Sequence, residues 1–427
     1  MKVKRNGGTV LFVTFTALVM SGWATSALGS SYRVIHNFTG GPADGCQPLG
    51  VPAVAKNGDL YGVTNSCGSY EHYGTVFKLV APQSRGGVWK ERILYNFTSG
   101  ESGNPTSLIM GNDGTLYGAG YNENYPGFIF RLKSPVKGGG WQYEVLHTFS
   151  NDTDGVFVQG IALDAEGNIY GTTELGGDLS CGNGIGCGTV FELQRPTQKG
   201  GQWVHSMLYM FGQGGNEDAI EPFAGVTLDK EGTIYGTTDG GGIYDYGTVY
   251  RLNPPTQKGG TWTEAVLYSF EPGTNMGAHP HGPVTFDESG NMYGTTTIGG
   301  DLNCAGGYGC GVMFELSPQE GGTWTYTNLY SLQGGNDGAG PESQLVLDGK
   351  GNLYGTSSGG YDGVAGSALR LSPPVTGGGW TETTLYTFTT ESGGDYRGLA
   401  WGKWHSLYGV TNAGGTYQAG TVFELQP

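Results

Sequence analysis

Several short stretches of the sequence carry residue types that could do chemistry. His279 and His281 form a His-Pro-His stretch, and the acids Glu221 and Glu342 precede short apolar runs. Two carboxylates roughly 5 Å apart would suit a retaining glycoside hydrolase, and a wider pair would suit an inverting one. Residues 355–359 (GTSSG) also match the G-x-S-x-G motif of serine hydrolases, which needs a strand-to-helix turn. These residues therefore raise the question of hydrolysis.

Two acidic stretches make calcium a candidate ligand. Residues 150–155 (SNDTDG) alternate acids before a glycine, with Asp152 and Asp154 as the candidate ligands. Serine replaces the first acid of the usual loop and no glutamate closes it, so a solvated acidic turn is the alternative. Glu217, Asp218 and Glu221 form a second cluster with the same two interpretations. We expect no cofactor apart from calcium.

Composition and charge narrow the class of protein. Glycine contributes 83 of 427 residues, and each glycine inside a helix costs about 1 kcal/mol relative to alanine. Together with 12% aromatic residues, this favours short strands joined by tight turns. The formal net charge of -16 argues against nucleic acid or anionic lipid as a partner. Six cysteines, an even number, suit a disulfide framework in an oxidising compartment.

The first 29 residues have the pattern of a secretory signal peptide. Lys2, Lys4 and Arg5 precede a short apolar run and then small residues. The run is short for a membrane span, although a retained anchor is the alternative. We therefore expect a secreted, extracellular bacterial protein with no membrane span in its mature chain.

A repeated unit accounts for most of the chain. The dipeptide Tyr-Gly recurs at Tyr61, Tyr117, Tyr170, Tyr235, Tyr293, Tyr354 and Tyr408. Each copy sits among four phrases, such as GVTLD, IYGTT, GTVFEL and WTEAVLYSF, and each phrase predicts a strand. Four strands in roughly 50–60 residues are typical of a propeller blade. The sequence therefore predicts an all-β, seven-bladed β-propeller, since a stacked solenoid would need capping repeats.

The chain ends predict how the ring closes. Residues 32–38 match the last phrase of a unit, and the last unit lacks that phrase. We expect the N-terminal strand to pair with the last C-terminal blade, which removes an exposed edge. The predicted domains are a signal peptide at residues 1–29 and a propeller over residues 30–427. Its blades lie at about residues 46–97, 104–149, 159–211, 222–270, 281–332, 342–388, and 396–427 plus 32–38.

Alternating strand direction assigns the loops to two faces. The glycine-rich loops and the blade-to-blade loops share one face, which is acidic and varied, whereas short similar turns occupy the other. Variable loops on a rigid scaffold commonly carry binding. The same geometry predicts the disulfides Cys46–Cys67, Cys181–Cys187 and Cys304–Cys310, rather than a tetrahedral metal site.

Residues that enter the innermost strands from the loop-rich face should surround the mouth of the central channel. Convergent polar groups in such a place are typical of a ligand site, and we expect one built from Gln47, Asn104, Gln159, Glu221, His281, Glu342 and Arg397. Tyrosines near this face could stack on sugars or pack between blades: Tyr70, Tyr73, Tyr121, Tyr244, Tyr246, Tyr308 and Tyr396. Ser357 corresponds to a threonine of other units, so we predict no catalytic residue.

The phrases GNIYGTTELGG and GTVFEL together resemble the GloVer tandem repeat of bacterial extracellular proteins. The resemblance extends over nearly the whole mature chain, with weaker copies around Tyr117 and Tyr354. It implies secretion and supplies no catalytic residues.

These observations favour a secreted, non-catalytic, monomeric repeat protein. We expect it to bind a glycan or an extracellular protein through its loop-rich acidic face. One alternative is a glycan-active hydrolase or lyase with acids and His281 at the channel mouth. A structural component of an envelope or matrix is the other.

Overall fold

The computed structural model describes residues 31–427 except 70–72, 99–102, 122–126, 136–138, 151–152, 216, 258, 360–365, 376, 390, 393 and 395–397. The expected signal peptide lies outside the described residues. Four predicted site residues do as well: Tyr70, Asp152, Tyr396 and Arg397.

Seven four-stranded antiparallel sheets make up the described chain, and they confirm the predicted seven-bladed propeller. Blade 1 contains β2 (Gly45–Val54), β3 (Leu60–Cys67), β4 (Thr75–Val80) and β5 (Lys90–Asn96). Blade 2 contains β6 (Pro105–Met110), β7 (Leu116–Tyr121), β8 (Gly127–Lys133) and β9 (Gln142–Thr148). Blade 3 contains β10 (Val156–Leu163), β11 (Ile169–Leu175), β12 (Thr189–Gln194) and β13 (Val204–Met210). Blade 4 contains β15 (Thr227–Leu228), β16 (Ile234–Thr238), β18 (Thr248–Asn253) and β19 (Thr263–Ser269). Blade 5 contains β20 (Thr285–Phe286), β21 (Met292–Thr296), β22 (Val312–Pro318) and β23 (Trp324–Ser331). Blade 6 contains β24 (Val346–Leu347), β25 (Leu353–Ser357), β26 (Ser367–Ser372) and β27 (Thr381–Thr387).

The seventh blade contains β28 (Ala400–Trp401), β29 (Leu407–Thr411), β30 (Thr421–Gln426) and the N-terminal strand β1 (Ser31–Asn37). A separate two-stranded sheet joins β14 (Ala219–Ile220) to β17 (Gly240–Gly241) on the loop side of blade 4. Short 3-10 helices span Gly182–Gly184, Ala305–Gly307 and Lys403–His405.

Close packing explains the glycine that follows each repeated tyrosine. A Cβ atom on Gly171 would lie 2.6 Å from the ring of Phe191 on β12, and one on Gly294 would lie 2.5 Å from the ring of Phe314 on β22. Both rings are fully buried. The glycine and the aromatic residue of the next strand are therefore one packing unit, because any side chain at the glycine would displace the ring.

A hydroxyl pair links the second and third strands of most blades. In blade 3, Thr173 Oγ1 and Thr189 Oγ1 are 2.8 Å apart. The counterpart in blade 6 is Ser357, which is fully buried and lies 3.0 Å from Ser367 Oγ. The G-x-S-x-G stretch therefore belongs to the repeat, and its serine is sealed from any substrate.

The ring closes as the chain ends predict. Strand β1 pairs antiparallel with β30, so that Val34 lies opposite Phe423 and His36 lies opposite Val422. Arg33 also donates to a carboxylate oxygen of Glu424 at 2.5 Å. The first and last strands of the described chain thus share one sheet.

Neighbouring blades meet through the outermost strands. A residue near the end of one outermost strand faces a residue near the start of the next. Two tyrosines stack at three of these junctions, with ring centroids 3.7 to 4.4 Å apart: Tyr95–Tyr143, Tyr268–Tyr326 and Tyr32–Tyr386. Two histidines, His147 and His205, stack at 4.2 Å between blades 2 and 3.

The remaining three junctions are acidic. Each places a histidine or tyrosine near a glutamate of the next blade and an aspartate of the blade-to-blade loop: His36 with Glu91 and Asp44, Tyr209 with Glu264 and Asp218, and Tyr330 with Glu382 and Asp337. The Tyr209 hydroxyl lies 3.1 Å from Asp218 and 3.2 Å from Glu264. At these three junctions the contact between blades is therefore polar rather than stacked.

Candidate functional site

The glycine-rich loops and the blade-to-blade loops lie together on one face, joined by backbone hydrogen bonds. The Glu221 N–H donates to the Cys187 carbonyl at 2.9 Å, and the Asp239 N–H donates to the Glu221 carbonyl at 2.9 Å. His279 repeats this arrangement one blade later, with Tyr246 and Thr297 as partners at 3.0 Å. These two blade-to-blade loops are thereby each held between two glycine-rich loops.

Five residues at the entry to the first strands adopt a left-handed backbone: Gln47, Asn104, Phe157, Glu221 and His279, with φ between 49° and 59°. Such values are uncommon outside glycine. Their recurrence in five blades indicates that the propeller geometry, rather than one ligand site, requires this conformation. Gln47 is exposed, and Asn104 donates to the Asn65 carbonyl at 3.0 Å.

A cavity of about 690 Å³ occupies the central channel. The first strands of blades 1 to 4 supply most of its wall. Three of the predicted site residues line it, namely Gln159, His281 and Glu342. The first strand region of each of these blades therefore lies innermost, next to the channel, as expected.

Asp239 joins two histidines at the rim of this channel. Its Oδ1 lies 2.9 Å from Nδ1 of His279 and 2.6 Å from Nε2 of His281. The ring of His281 also stacks on Phe223, with centroids 4.7 Å apart. Burial alone would raise the pKa of Asp239, but the hydrogen bonds from both histidines outweigh it and hold that pKa well below its usual range. The hydrogen bond to Asp239 in turn raises the pKa of His279.

Glu174 lies at the same rim, one blade away. Gln159 Nε2 donates to its Oε2 at 2.5 Å. Burial raises the pKa of Glu174, and the negative charges of Glu221 and Asp239 add to the rise. Burial and Asp239 likewise raise the pKa of Glu221. The rim therefore holds two neighbouring acids, Glu174 and Asp239, whose environments push their pKa values in opposite directions.

A second cavity, of about 290 Å³, lies between blades 5 and 6 and shares His281 and Glu342 with the channel. Thr297, Ser358 and Tyr308 also line it. Tyr308 is 71% exposed, and the disulfide between Cys304 and Cys310 closes the loop that carries it.

The repeat can now be assigned to a family. The model of the Gloeobacter/Verrucomicrobia repeat matches residues 21–185 and 180–423, which is most of the chain. The chain belongs to this family. It is the family of the GloVer resemblance, which is thereby confirmed.

Solved structures with a similar fold share little sequence identity with this chain. A gluconolactonase from Xanthomonas campestris is 14% identical, covers 93% of this chain and 89% of its own, and has a TM-score of 0.41. A protein of unknown function from Dyadobacter fermentans is 13% identical, covers 93% of this chain and 99% of its own, and has a TM-score of 0.44. No curated protein sequence matches the chain. Such distant likeness carries no argument about activity.

Glu174 and Asp239 are the rim residues that sequence reasoning missed. In each Gloeobacter/Verrucomicrobia repeat, one residue directly follows the Gly-x-x stretch that begins after the repeated tyrosine. In chain order these residues are Asn65, Tyr121, Glu174, Asp239, Thr297, Ser358 and Asn412. The preceding residues barely change between repeats, whereas this residue differs in nearly every one. That variation at a fixed position is the signal that could have identified the rim.

The three predicted disulfides are present. Cys46–Cys67, Cys181–Cys187 and Cys304–Cys310 have Cα–Cα distances of 5.3, 5.6 and 5.5 Å, within the usual range. They indicate an oxidising, extracytoplasmic environment. Among the described residues, no helix is long and apolar enough to cross a bilayer.

The calcium candidate Asp154 serves the loop itself. Its Oδ1 accepts hydrogen bonds from the backbone N–H and hydroxyl of Ser150 at 2.8 and 2.5 Å, and its Oδ2 lies 3.5 Å from His147 Nε2. Asp218 does the same for the next long loop, accepting from the Gly214 N–H at 2.8 Å. Calcium at Asp154 stays a prediction.

The predicted tyrosines divide between exposed and packed positions. Tyr308 and Tyr244 are exposed, whereas Tyr73 packs against the core between blades 1 and 2 and Tyr246 contacts His279 edge-on at 5.3 Å. Tyr121 lines the channel cavity. Tyr308 is therefore the predicted tyrosine that is both exposed and part of a cavity with polar partners.

Proposed function

We propose that this protein is a secreted, non-catalytic propeller that binds a neutral or amino-sugar glycan at the cleft between blades 5 and 6. The observation that carries the proposal is the exposed ring of Tyr308 beside His281, Glu342 and Ser358 in one cavity. An aromatic face can pack against the C–H face of a sugar, and flanking carboxylate, imidazole and hydroxyl groups can bond its hydroxyls.

The negative charge of the molecule narrows the class of glycan that it should bind. The chain carries a formal charge of -16, and acids crowd the rim next to the cleft. Anionic polysaccharides would be repelled, whereas neutral sugars and protonated amino sugars would not. Secretion is supported by the signal-peptide pattern of the first 29 residues and by the three disulfides.

Calorimetric titration with neutral, amino-sugar and uronic-acid oligosaccharides tests this proposal. Tyr308→Ala and Glu342→Gln should each weaken binding at least about tenfold, which corresponds to about 1.4 kcal/mol. Tyr417→Ala is the matched control, because Tyr417 is 59% exposed on the glycine-rich loop of blade 7. An equal loss in the control, or tightest binding to the uronic acids, would contradict the proposed site. Absence of all binding would favour a structural role in the envelope or matrix.

A glycan-active hydrolase is the second candidate, favoured by the opposite pKa shifts of Glu174 and Asp239. Two acids at one rim whose environments push their pKa values in opposite directions suit acid–base catalysis. If this candidate holds, Glu174→Gln and Asp239→Asn should abolish release of reducing ends from polysaccharides and leave sugar binding intact. Glu288→Gln, at an exposed turn of the opposite face, should change nothing. Intact polysaccharide after prolonged incubation with the unaltered protein would eliminate the hydrolase.

A further inference from the structure

The junction that closes the ring contains three metal-ligating groups with their donor atoms turned toward one point. They are His36 on β1, Asp44 on the following loop and Glu91 on β5, and one donor atom from each lies within 4.8 Å of the other two. Among the described residues, this is the group of three or more such side chains that meets that spacing. The side chains are 10 to 18% exposed, so the group is largely shielded from water.

Asp44 Oδ1 accepts a hydrogen bond from the Gly45 N–H at 2.7 Å, but the distances from the histidine nitrogen to the two carboxylates are too wide for hydrogen bonds. His36 Nε2 lies 3.4 Å from Glu91 Oε1 and 3.7 Å from Asp44 Oδ1, whereas an N–H···O bond spans about 2.7–3.2 Å. His36 Nε2 and Glu91 Oε1 are buried atoms without a hydrogen-bond partner. Buried polar atoms are rarely left so, and an ion is one of the usual reasons.

The two distances from His36 Nε2 do suit ligands of a tetrahedral metal ion. Zinc binds histidine nitrogen and carboxylate oxygen at about 2.0–2.2 Å, which sets two ligand atoms of a tetrahedron about 3.4 Å apart. When His36 is deprotonated, its imidazole and the two carboxylates carry two negative charges, which one divalent cation balances.

The corresponding junction between blades 3 and 4 shows what happens without an imidazole. There Tyr209 replaces the histidine, and its hydroxyl reaches Asp218 and Glu264 at 3.1 and 3.2 Å. The tyrosine junction is thus closed by ordinary hydrogen bonds. The histidine junction has the corresponding two acids, but they lie 3.4 and 3.7 Å from His36 Nε2.

We infer that His36, Asp44 and Glu91 form a binding site for a divalent transition-metal ion, with zinc as the best fit. The ion joins the N-terminal strand to blade 1 at the seam where the ring closes. Because these ligands come together only in the closed ring, the metal should bind the folded chain alone and raise its melting temperature.

Zinc titration of the EDTA-treated full-length mature protein tests this inference. The unaltered protein should take up one equivalent of zinc at this site and melt at a higher temperature with zinc than without it. His36→Tyr places at this junction the tyrosine of blades 3 and 5, so it should fold, lose that equivalent and lose the zinc-dependent rise. Glu91→Gln is a second variant of nearly equal size and should weaken zinc binding at least about tenfold.

His147→Tyr is the matched control, since His147 holds the same position in blade 2 beside Asp154. It should bind zinc like the unaltered protein. Equal zinc stoichiometry and melting behaviour in the unaltered protein, His36→Tyr and Glu91→Gln would overturn the inference. That result would leave a protonated His36 paired with both carboxylates as the account of the junction.

Discussion

The ring of Tyr32 lies flat against the ring of Tyr386, with centroids 3.7 Å apart and planes 5° from parallel. Tyr32 belongs to the first strand of the described chain and Tyr386 to the outermost strand of blade 6. The N-terminal strand therefore makes two contacts at once: it pairs with β30 inside its own sheet and packs on the preceding blade. Closure of the ring depends on both.

Loss of the Tyr32 ring should open this seam. We expect Tyr32→Ala to lower the free energy of unfolding by about 2 kcal/mol, from lost apolar burial and lost stacking. Chemical denaturation followed by tryptophan fluorescence measures the change. Tyr244→Ala, at an exposed loop position, should stay within about 0.5 kcal/mol, and a similar loss in both variants would contradict the role of Tyr32.

Acidic and stacked junctions should respond differently to removal of one hydroxyl. Tyr209→Phe removes the group that bridges Asp218 and Glu264, so it should cost about 1–3 kcal/mol. Tyr268→Phe keeps the stacked ring pair with Tyr326 and should cost less than about 0.5 kcal/mol. Thermal unfolding of the two variants gives the comparison, and a larger loss in Tyr268→Phe would refute this division of the junctions.

Glu264 should give the protein a pH-dependent stability. Burial, reinforced by Asp218, raises the pKa of Glu264 to about 9 from its ordinary value of 4.5. The folded state then holds a proton that the unfolded state releases, so stability falls as pH rises from about 4.5 toward about 9. Glu264→Gln imitates the protonated acid and should flatten that part of the profile.

Denaturation midpoints between pH 4 and 9 test this expectation, with Glu288→Gln as the control at an exposed turn. The control should keep the slope of the unaltered protein. An unchanged slope in Glu264→Gln would show that Glu264 is ionised in the folded state.

The sequence predicts the scaffold well because the same four-strand pattern recurs in seven units. The Tyr-Gly dipeptide recurs since any side chain at positions such as Gly171 would collide with a buried neighbour, which is Phe191 in blade 3 and Leu345 in blade 6. The match of residues 32–38 to the phrase missing from the last unit likewise specifies the closure. Because the local packing pattern is repeated once per blade, the number of its copies in the sequence gives the number of blades.

The rim of the channel is harder to predict because it depends on side-chain direction. Glu221 precedes Phe223, which is the blade 4 counterpart of His281 and stacks on it. The predicted set of site residues therefore comes from two different positions of the repeat. Residues at the position of Phe223 and His281 line the channel, whereas Glu221 does not. Asp239 reaches His281 from a different loop, and no spacing along the chain reveals that contact.

The disulfide of blade 5 should matter for binding more than for folding. Replacing Cys304 and Cys310 together by serine frees the short loop that carries Tyr308, at a cost of about 2 kcal/mol in the chain-entropy model. We expect the variant to fold and to bind glycan at least about tenfold more weakly. The same double change at Cys181 and Cys187 should cost similar stability and leave binding intact, and calorimetry on both variants separates the two effects.

The structure of the protein crystallised with the neutral or amino-sugar oligosaccharide that binds most tightly tests the central claim most directly. We expect one sugar ring against the face of Tyr308, with its hydroxyls bonded to Glu342 and His281. Sugar bound on the opposite face, or a cleft between blades 5 and 6 that stays empty at saturating oligosaccharide, would contradict the account.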